Sequence, residues 1–352
     1  MAKKRKQQFS KLKKFLFAFG GLLLLFAVII AFSFYQKIYA PGVEIKKNDP
    51  YLYLPTSSNY DDLIAILEQN QLVHSIENFD WVARKMNLQN HIHPGKYKLE
   101  KNMSNSVLAR LLRSGKQEPV KLVLKKFRLK EDVVSFVSHK LEADSITLIT
   151  ALNDPVYLRN FNLEPDAAIA LFIPNTYEFY WNTSSEQFLI RMKKEYDRFW
   201  NEQRKQLAKS VNLTPVQVIT LASIIEEETN YNHEKPRMAG LYLNRLKAGM
   251  KLQADPTVKF ALKNFTLRRI LYVHLSYESQ FNTYRYPGLP PGPICTPSIT
   301  SVDAVLHAER NDYFYFCADP DKPGTSVFAR TLKEHQLNAR RYQYWLDGIG
   351  VK

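Results

Sequence analysis

The sequence has few cysteines, no internal repeat and no low-complexity tract beyond a basic N-terminal tail. Its 352 residues include only two cysteines, Cys295 and Cys317, which are too few for a disulfide framework and leave open whether the two pair. The absence of a fixed-period repeat excludes solenoid and propeller architectures. We therefore expect globular domains stabilised by hydrophobic cores, for which the chain is long enough.

Basic residues outnumber acidic ones, but the excess is concentrated at the N-terminus. The formal net charge is +15, and the tail MAKKRKQQFSKLKK holds seven of the 49 basic residues and no acidic residue. Without this tail, 42 basic residues face 34 acidic ones. Such a mild surplus suits an acidic polymer or a membrane surface as well as nucleic acid.

One long apolar run follows the basic tail. Residues 15–35, FLFAFGGLLLLFAVIIAFSFY, are 21 residues without a charge, and at about 1.5 Å per residue they cross the roughly 30 Å hydrocarbon core of a bilayer. A cleaved signal peptide has an apolar region of only about 7–15 residues, so we predict an uncleaved, single-pass transmembrane helix. The lysines before the helix place residues 1–14 in the cytoplasm and the chain from Gln36 onward outside, which excludes nucleic acid as a partner.

The segments after the anchor predict an α+β fold. Residues 36–49 are predicted as a linker, 50–125 as a small α+β module and 126–352 as a larger mixed α+β domain. In the larger domain helical patterns dominate up to Phe265, and YFYFCAD is a later strand. Within the module we predict strands at YLYLP, HPGKYKLE and residues 119–124, and helices at 61–68, 79–86 and between an N-cap at Ser104 and a stop at Gly115.

Three adjacent glutamates end an apolar helical run in LASIIEEETN, residues 221–230. Thr214 and Pro215 predict the start of this helix, as N-cap and first helical residue. On a helical wheel the apolar residues share one face, Glu227 lies opposite that face, and Glu226 and Glu228 lie at its two borders. We therefore expect Glu227 to be solvated and its two neighbours to be partly buried.

A carboxyl group at the border of an apolar face can serve acid catalysis. Desolvation and neighbouring negative charge both raise its pKa, which lets it donate a proton to a glycosidic oxygen at neutral pH. The alternative is that such acids only mark the solvent line. Glu226 and Glu228 point to nearly opposite sides of the helix, so they cannot form the pair of carboxyl groups about 5–5.5 Å apart that retaining glycosidases use. If the chemistry is on sugars, one carboxylate does most of it.

Four blocks of the sequence form a signature. The longest is ASIIEEETNYNHEKPRMAGLYLNRLKAGMKLQADPTVKFAL at residues 222–262, and the others are FIPNTYEFY, FNTYRYPGLPPGPICTPS and GTSVFARTLKEH. Together they resemble the YceG-like family of endolytic murein transglycosylases. The resemblance covers nearly the whole chain, including the anchor and the small module, which is similar to that family's LysM-like domain. It implies a single-pass protein of the bacterial inner membrane with a periplasmic catalytic domain, residues 126–352.

The glutamate after SII is catalytic in that family, and this position is Glu226. The resemblance implies that Glu226 first protonates the oxygen between MurNAc and GlcNAc and then takes the proton of the MurNAc C6 hydroxyl, which closes a 1,6-anhydro ring. The nucleophile then belongs to the substrate, and no metal or organic cofactor is required. The implied partners are peptidoglycan glycan strands, the membrane and, through tethering close to the newest strands, peptidoglycan synthases.

Further polar residues of these blocks are candidates for binding the glycan. Asn244 is predicted either to hold the substrate or to support the glutamate, and Asp255 either to cap the next helix or to face the cleft. Others are neutral hydrogen-bonding groups, or residues ahead of a stiff proline-rich loop that suits a groove wall. The full set of substrate-binding candidates is Glu228, Asn244, Gln253, Asp255, Thr257, Asn282 and Tyr284.

The sequence departs from the family pattern at two positions. Asn175 stands where the family usually has aspartate, and Ser326 where it usually has histidine, which leaves open any ion pair or histidine-assisted step. His91 and His93 lack a third ligand and are predicted to be surface residues rather than a metal site. Two alternatives to the lyase stay open: a non-catalytic, membrane-tethered peptidoglycan-binding scaffold, and a hydrolase that uses water as its nucleophile.

Overall fold

The computed structural model describes residues 2–45, 49–267, 269–322 and 324–348. The chain forms two compact units, one of residues 1–120 with 180–182 and one of residues 121–179 with 183–352. The fold is mixed α+β, as predicted, and within the described ranges the strands form two-stranded sheets. That residues 50–125 are a LysM-like module and 126–352 a catalytic domain stays a prediction.

The helices and strands follow one another along the chain in this order. In the first unit they are α1 (Ala2–Tyr39), β1 (Tyr51–Leu54), α2 (Tyr60–Gln69), α3 (Ile76–Lys85), β2 (Gly95–Lys98) and α4 (Asn105–Ser114). The second unit holds β3 (Val120–Val123, whose first residue belongs to the first unit), α5 (Lys130–Ser138), α6 (Ser145–Ala151), α7 (Pro155–Arg159), β4 (Thr176–Phe179), α8 (Ser185–Phe199), α9 (Glu202–Ser210), α10 (Pro215–Glu228), α11 (Lys235–Lys247), α12 (Asp255–Ala261), α13 (Tyr272–Leu275), α14 (Ile299–Leu306), β5 (Tyr315–Ala318), β6 (Ser326–Ala329) and α15 (Leu332–Gly348).

Helix α1 extends past the predicted transmembrane segment to Tyr39. Its part Leu12–Tyr39 is long and apolar enough to cross a membrane, and nearly all side chains of that part are exposed. Exposed apolar side chains on this scale are suited to lipid rather than water. The helix therefore fits a single-pass anchor.

Part of the predicted linker belongs to the first unit. The N–H groups of Gly42 and Val43 donate to the Met103 carbonyl at 3.0 and 3.1 Å, and the Val43 side chain is buried. The structure therefore differs from a free linker over residues 36–49, because α1 takes its first four residues and burial of Val43 fixes the chain beyond them. Residues 46–48 lie outside the described residues.

The rest of the first unit follows the sequence pattern closely. Strands β1 and β2 pair antiparallel with Leu52 opposite Tyr97, and both side chains are fully buried under the helices. The Ser104 hydroxyl accepts the Val107 N–H at the start of α4, and Gly115 ends that helix with a φ of 65°. Both predicted caps are thus confirmed, since a left-handed residue after a helix favours glycine.

Helix α10 is the central element of the second unit. The predicted start is confirmed: the Thr214 hydroxyl accepts the Gln217 N–H, and Pro215 is the first helical residue. All eight residues from Val218 to Ile225 are buried. The prediction of a single apolar face is therefore wrong, because α11, α12 and α14 pack around the middle of this helix and leave solvent at its two ends.

Candidate active site

The three glutamates at the C-terminal end of α10 point in three directions and contact different elements. Glu226 contacts α11 and α14, Glu227 contacts the segment before α5, and Glu228 contacts Tyr242 of α11. Because successive helical residues are about 100° apart, each carboxylate has its own surroundings and its own charge state.

Glu226 is held through one of its two carboxylate oxygens. Its Oε2 accepts hydrogen bonds from the hydroxyls of Ser298 at 2.6 Å and Ser301 at 2.5 Å, and from the Lys235 ammonium at 3.1 Å. Within the described part of the chain no donor contacts Oε1, and 16% of the side chain is exposed. One oxygen is therefore fixed, while the other is available to a ligand.

The charge state of Glu226 differs from the expectation. Burial acts to raise its pKa, but the hydrogen bonds from Ser298, Ser301 and Lys235, with the ammonium charge, outweigh burial and hold the pKa below its ordinary value of 4.5. The predicted rise is therefore wrong for this residue. Three donors converge on its carboxylate, and a helical wheel contains no information about them.

Glu227 is not the solvated member of the cluster. It forms ion pairs with Lys126 at 2.9 Å and Arg128 at 2.8 Å, and only 15% of its side chain is exposed. Burial acts to raise its pKa, but hydrogen bonding and charge from Arg128 and Lys126 lower it below the ordinary value. The prediction is wrong because residues 126–128 pass the side of α10 that the wheel assigned to water.

Glu228 shows the rise in pKa that the sequence predicts for both border glutamates, Glu226 and Glu228. The Tyr242 hydroxyl donates to its Oε1 at 2.9 Å. Burial, reinforced by the charge of Asp255 and only partly offset by the Tyr242 hydrogen bond, raises the pKa of Glu228 to about 7. Of the three glutamates, this one carries a proton for a substantial part of the time at neutral pH.

Asp255 lies at the start of α12 without capping it. The N-cap position is Ala254, and Asp255 is the first helical residue. Its Oδ1 accepts the Tyr284 hydroxyl at 2.7 Å. The N-cap prediction is wrong because the carboxylate is engaged by Tyr284 rather than by the backbone of α12. Glu228, Asp255 and Tyr284 are brought together here, with Tyr242 as the link to α11.

Two other candidates are side chains that tie loops to helices. The Asn244 amide donates to the carbonyls of Asn311 at 2.9 Å and Tyr313 at 3.0 Å. Asn282 is fully buried and donates to the carbonyls of Leu275 at 3.0 Å and Tyr277 at 2.8 Å. Both amides therefore satisfy backbone acceptors of neighbouring segments. Within the described residues, the Asn244 side chain bonds to Asn311 and Tyr313 and not to the Glu226 carboxylate.

Thr257 and Gln253 both lie near the start of α12, but Thr257 is buried and Gln253 is exposed. The Thr257 hydroxyl is fully buried, donates to the Ala254 carbonyl at 2.6 Å and lies 2.8 Å from the Thr283 hydroxyl. Gln253 is exposed, with a φ of 51°, and its N–H donates to the Thr283 carbonyl at 3.2 Å. Of the two, only Gln253 presents its side chain to a ligand.

Sequence reasoning missed the three donors around Glu226. Lys235 is nine residues further on, at the start of α11, and its side chain is nearly buried. Ser298 is the N-cap of α14 and Ser301 lies in its first turn, 72 and 75 residues after the glutamate. The sequence TPSITS predicts a helix start, but nothing in the spacing indicates that this start meets the end of α10.

A cleft in the second unit is lined in part by Arg128, the partner of Glu227, and does not include Glu226. Its volume is about 380 Å³, and its lining includes Arg128, Lys130, Phe260 and Phe281. A smaller cavity of about 50 Å³ next to Glu227 shares Arg128 and Phe260 with it. The two cysteines are separate free thiols, Cys295 buried and Cys317 partly exposed.

Comparison with known proteins agrees with the signature in the sequence. An endolytic murein transglycosylase of Bacillus subtilis is 26% identical over 89% of this chain and 90% of its own length. A protein of the same name from Streptococcus pneumoniae is 25% identical over 82% of this chain, which spans 57% of that longer relative. A crystal structure of a YceG-like protein from Listeria monocytogenes has a TM-score of 0.55 and 26% identity, and covers 82% of this chain and 97% of its own. The YceG-like family profile matches residues 52–341, and the chain belongs to this family.

Proposed function

We propose that this protein is a membrane-anchored endolytic lytic transglycosylase that cleaves the MurNAc–GlcNAc bond of peptidoglycan strands and leaves 1,6-anhydro-MurNAc ends. Membership of the YceG-like family and the name shared by its relatives support the reaction class. The apolar helix α1 supports the anchor. The finer location is the inner membrane, with the chain beyond α1 in the periplasm.

The observation that carries the residue assignment is the one-sided fixation of Glu226. Ser298, Ser301 and Lys235 hold Oε2, so the carboxyl plane is fixed while Oε1 stays open to a ligand. In the first half of the reaction Oε1 carries the proton to the glycosidic oxygen as that bond breaks. In the second half the same oxygen takes the proton from the C6 hydroxyl as it attacks C1, and Glu226 is again protonated, as it was in the substrate complex.

The lowered pKa of Glu226 means that the free enzyme holds this residue as a carboxylate. A glycan lying over Oε1 removes the remaining water and stabilises the neutral acid, so proton uptake accompanies substrate binding. The same donors keep the carboxylate available as the base once the leaving sugar has departed. Fixation on one oxygen thus serves both halves of the reaction.

Glu228 is the competing candidate for the acid, because its pKa of about 7 lets it hold a proton in the free enzyme. Its Oε1 is occupied by the Tyr242 hydroxyl, and Asp255 and Tyr284 lie in the same network. We assign this group to the support of α10, α11 and α12 rather than to proton transfer. Gln253, exposed next to this network, is the candidate that remains free for glycan contact.

The experiment uses the full chain in detergent with uncrosslinked glycan strands, and the products are identified by mass spectrometry. The lyase gives anhydro-ended fragments. A hydrolase gives reducing ends heavier by one water, and a scaffold leaves strands intact but retained. Glu226→Gln should abolish cleavage while strands still bind, and Glu228→Gln is the matched control on the same helix.

The two variants separate the reaction class from the residue assignment. Loss of anhydro products in Glu226→Gln with their retention in Glu228→Gln supports both. If Glu228→Gln is the inactive variant and Glu226→Gln still cleaves, the assignment is wrong and the reaction class stands. Intact strands with the unmodified chain would contradict the lyase itself.

The newest strands are the substrate that a membrane anchor brings within reach. We infer that the protein acts close to the peptidoglycan synthases, with the small module of residues 50–125 as a LysM-like glycan contact. Retention of strands by a Glu226→Gln protein whose module carries substitutions would contradict the role of the module.

A further inference from the structure

Helix α13 and the residue before it form an apolar apex on the surface of the second unit. Leu271 is 53% exposed, Tyr272 92% and Val273 71%. Three consecutive apolar side chains in this state are unfavourable in water, and exposed apolar clusters of this kind mark binding surfaces. They make no contribution to the network at Glu226.

Hydrogen bonds hold the backbone of the apex in a defined conformation. Its turn is closed by the Leu271 N–H, which donates to His274 Nδ1 at 3.1 Å, and by the His274 N–H, which donates to the Leu271 carbonyl at 2.9 Å. Below it, Asn282 donates to the carbonyls of Leu275 and Tyr277, and Arg285 donates to the Ser276 carbonyl at 3.0 Å. Side chains of Asn282 and Arg285 therefore fix the segment just after the apex, and this arrangement leaves the three apolar residues exposed to solvent.

The surroundings of the apex are basic. Residues 265–285 contain three arginines and one glutamate, Glu278. That glutamate pairs with Arg285 at 2.8 Å and accepts the Tyr286 hydroxyl, so it does not offset the other positive charge. Arg269, two residues before the apex, is exposed. An apolar tip with arginine at its flank matches a bilayer surface whose headgroups carry phosphate.

We propose that Leu271, Tyr272 and Val273 form a second membrane contact, which inserts into the headgroup region of an anionic bilayer. The chain already carries a membrane-spanning helix in α1, so a bilayer is always within the reach of its tether. Tyrosine is the residue type that sits at the membrane interface, and the flanking aliphatic side chains suit acyl chains rather than sugar rings. This contact restrains the catalytic unit near the bilayer independently of the chemistry at Glu226.

The test places a fluorescent reporter at the apex of the full chain. Tyr272→Trp and the matched control Tyr344→Trp, which is 74% exposed on α15, are reconstituted into vesicles of phosphatidylethanolamine and phosphatidylglycerol with brominated acyl chains. Emission of the unsubstituted chain is subtracted, and bromine quenches only tryptophan that reaches the lipid. We expect strong quenching for Tyr272→Trp and none for Tyr344→Trp.

Two further conditions test the chemistry of the contact. Adding Arg269→Gln to Tyr272→Trp should lower the population of the inserted state about five-fold, and vesicles of phosphatidylcholine alone should lower it similarly. Equal quenching of the two tryptophan variants overturns the proposal. So does emission at the apex that responds to soluble glycan oligomers, or to protein concentration, instead of to bromine, because the occupant is then a glycan or a second copy of the chain.

Discussion

Ser301 offers the most direct test of how the proposed acid, Glu226, is set for proton transfer. Its fully buried hydroxyl donates to Glu226 Oε2 at 2.5 Å, and Ser301→Ala removes that donor while Ser298 and Lys235 stay in place. Ser298 is a less suitable target because it also caps α14, so its loss would combine two effects.

The size of the effect follows from the hydrogen bond. A hydrogen bond to a charged group contributes about 1.5–3 kcal/mol, and one pKa unit corresponds to about 1.4 kcal/mol, so Ser301→Ala should raise the Glu226 pKa by about one to two units. The pH dependence of kcat/KM reports the pKa of Glu226 in the free enzyme, because the proton that the acid donates must first be taken up by that carboxylate. The alkaline fall of kcat/KM should therefore move to higher pH by about the same amount.

The assay follows the formation of anhydro ends across pH for the unmodified chain, Ser301→Ala, Ser301→Thr and Ser223→Ala. Ser301→Thr keeps a hydroxyl and should restore the original profile. Ser223 is a buried serine of α10 that donates to the Thr220 carbonyl and accepts the Ile294 N–H, so its removal tests structural damage alone. The reasoning is refuted if Ser301→Ala loses stability as Ser223→Ala does but keeps the unmodified pH profile.

Three further substitutions test the surroundings of the site by their effect on unfolding. Glu228 has a folded pKa of about 7 against an ordinary 4.5, so it favours folding at low pH, and this contribution is lost as pH rises from 4.5 to 7. Glu228→Gln should therefore raise the free energy of unfolding by about 3 kcal/mol at alkaline pH and leave it unchanged near pH 4. Equal Tm shifts at both pH values would contradict this. Glu227→Gln leaves Lys126 and Arg128 without their charged partner and should lower the free energy of unfolding, measured in urea, by about 1–3 kcal/mol while anhydro products persist. An unchanged free energy of unfolding would mean that the two ion pairs contribute nothing to stability. Gly240→Ala places a Cβ 2.1 Å from the Glu309 carbonyl oxygen and should lower the free energy of unfolding by about 1–3 kcal/mol, whereas Gly348→Ala, with nothing within 4 Å, should leave Tm unchanged.

Local features of the fold were accessible from the sequence. The N-caps at Ser104 and Thr214, the proline at position 215 and the glycine at 115 act within one or two turns, and the structure has each as predicted. Such signals depend on backbone groups at fixed offsets along the chain. They need no knowledge of what packs on the element, which explains why they transfer from pattern to structure.

The charge states of the glutamates were not accessible in the same way. A helical wheel supposes solvent on one side of a helix, and α10 is buried on every side from Val218 to Ile225. The direction of each pKa shift then depends on partners far along the chain, such as Ser298 for Glu226 and Arg128 for Glu227. Identity of the neighbours, rather than position on the wheel, decides which carboxylate is neutral.

The structural partners of the polar residues in the signature were not accessible from the sequence for a related reason. Residues 281–298 contain five prolines among 18 residues, and a proline has no N–H to donate. Carbonyls near such a loop find fewer backbone donors, and the Asn282 side chain donates to those of Leu275 and Tyr277. A neutral hydrogen-bonding residue in a proline-rich segment is thus first a substitute for missing backbone donors.

A hydroxyl side chain at the end of the same loop also donates to Glu226. Along this loop the hydroxyl of Thr296 donates to the Lys125 carbonyl, and two residues later the hydroxyl of Ser298 donates to the Glu226 carboxylate. A donor aimed at a carbonyl only fastens the chain, since a carbonyl does not titrate. A donor aimed at a carboxylate also sets a proton affinity. The hydroxyls of this loop therefore have two effects. Thr296 fastens the loop to Lys125, and Ser298, where the loop meets the end of α10, helps to lower the pKa of Glu226 while its Oε1 stays free.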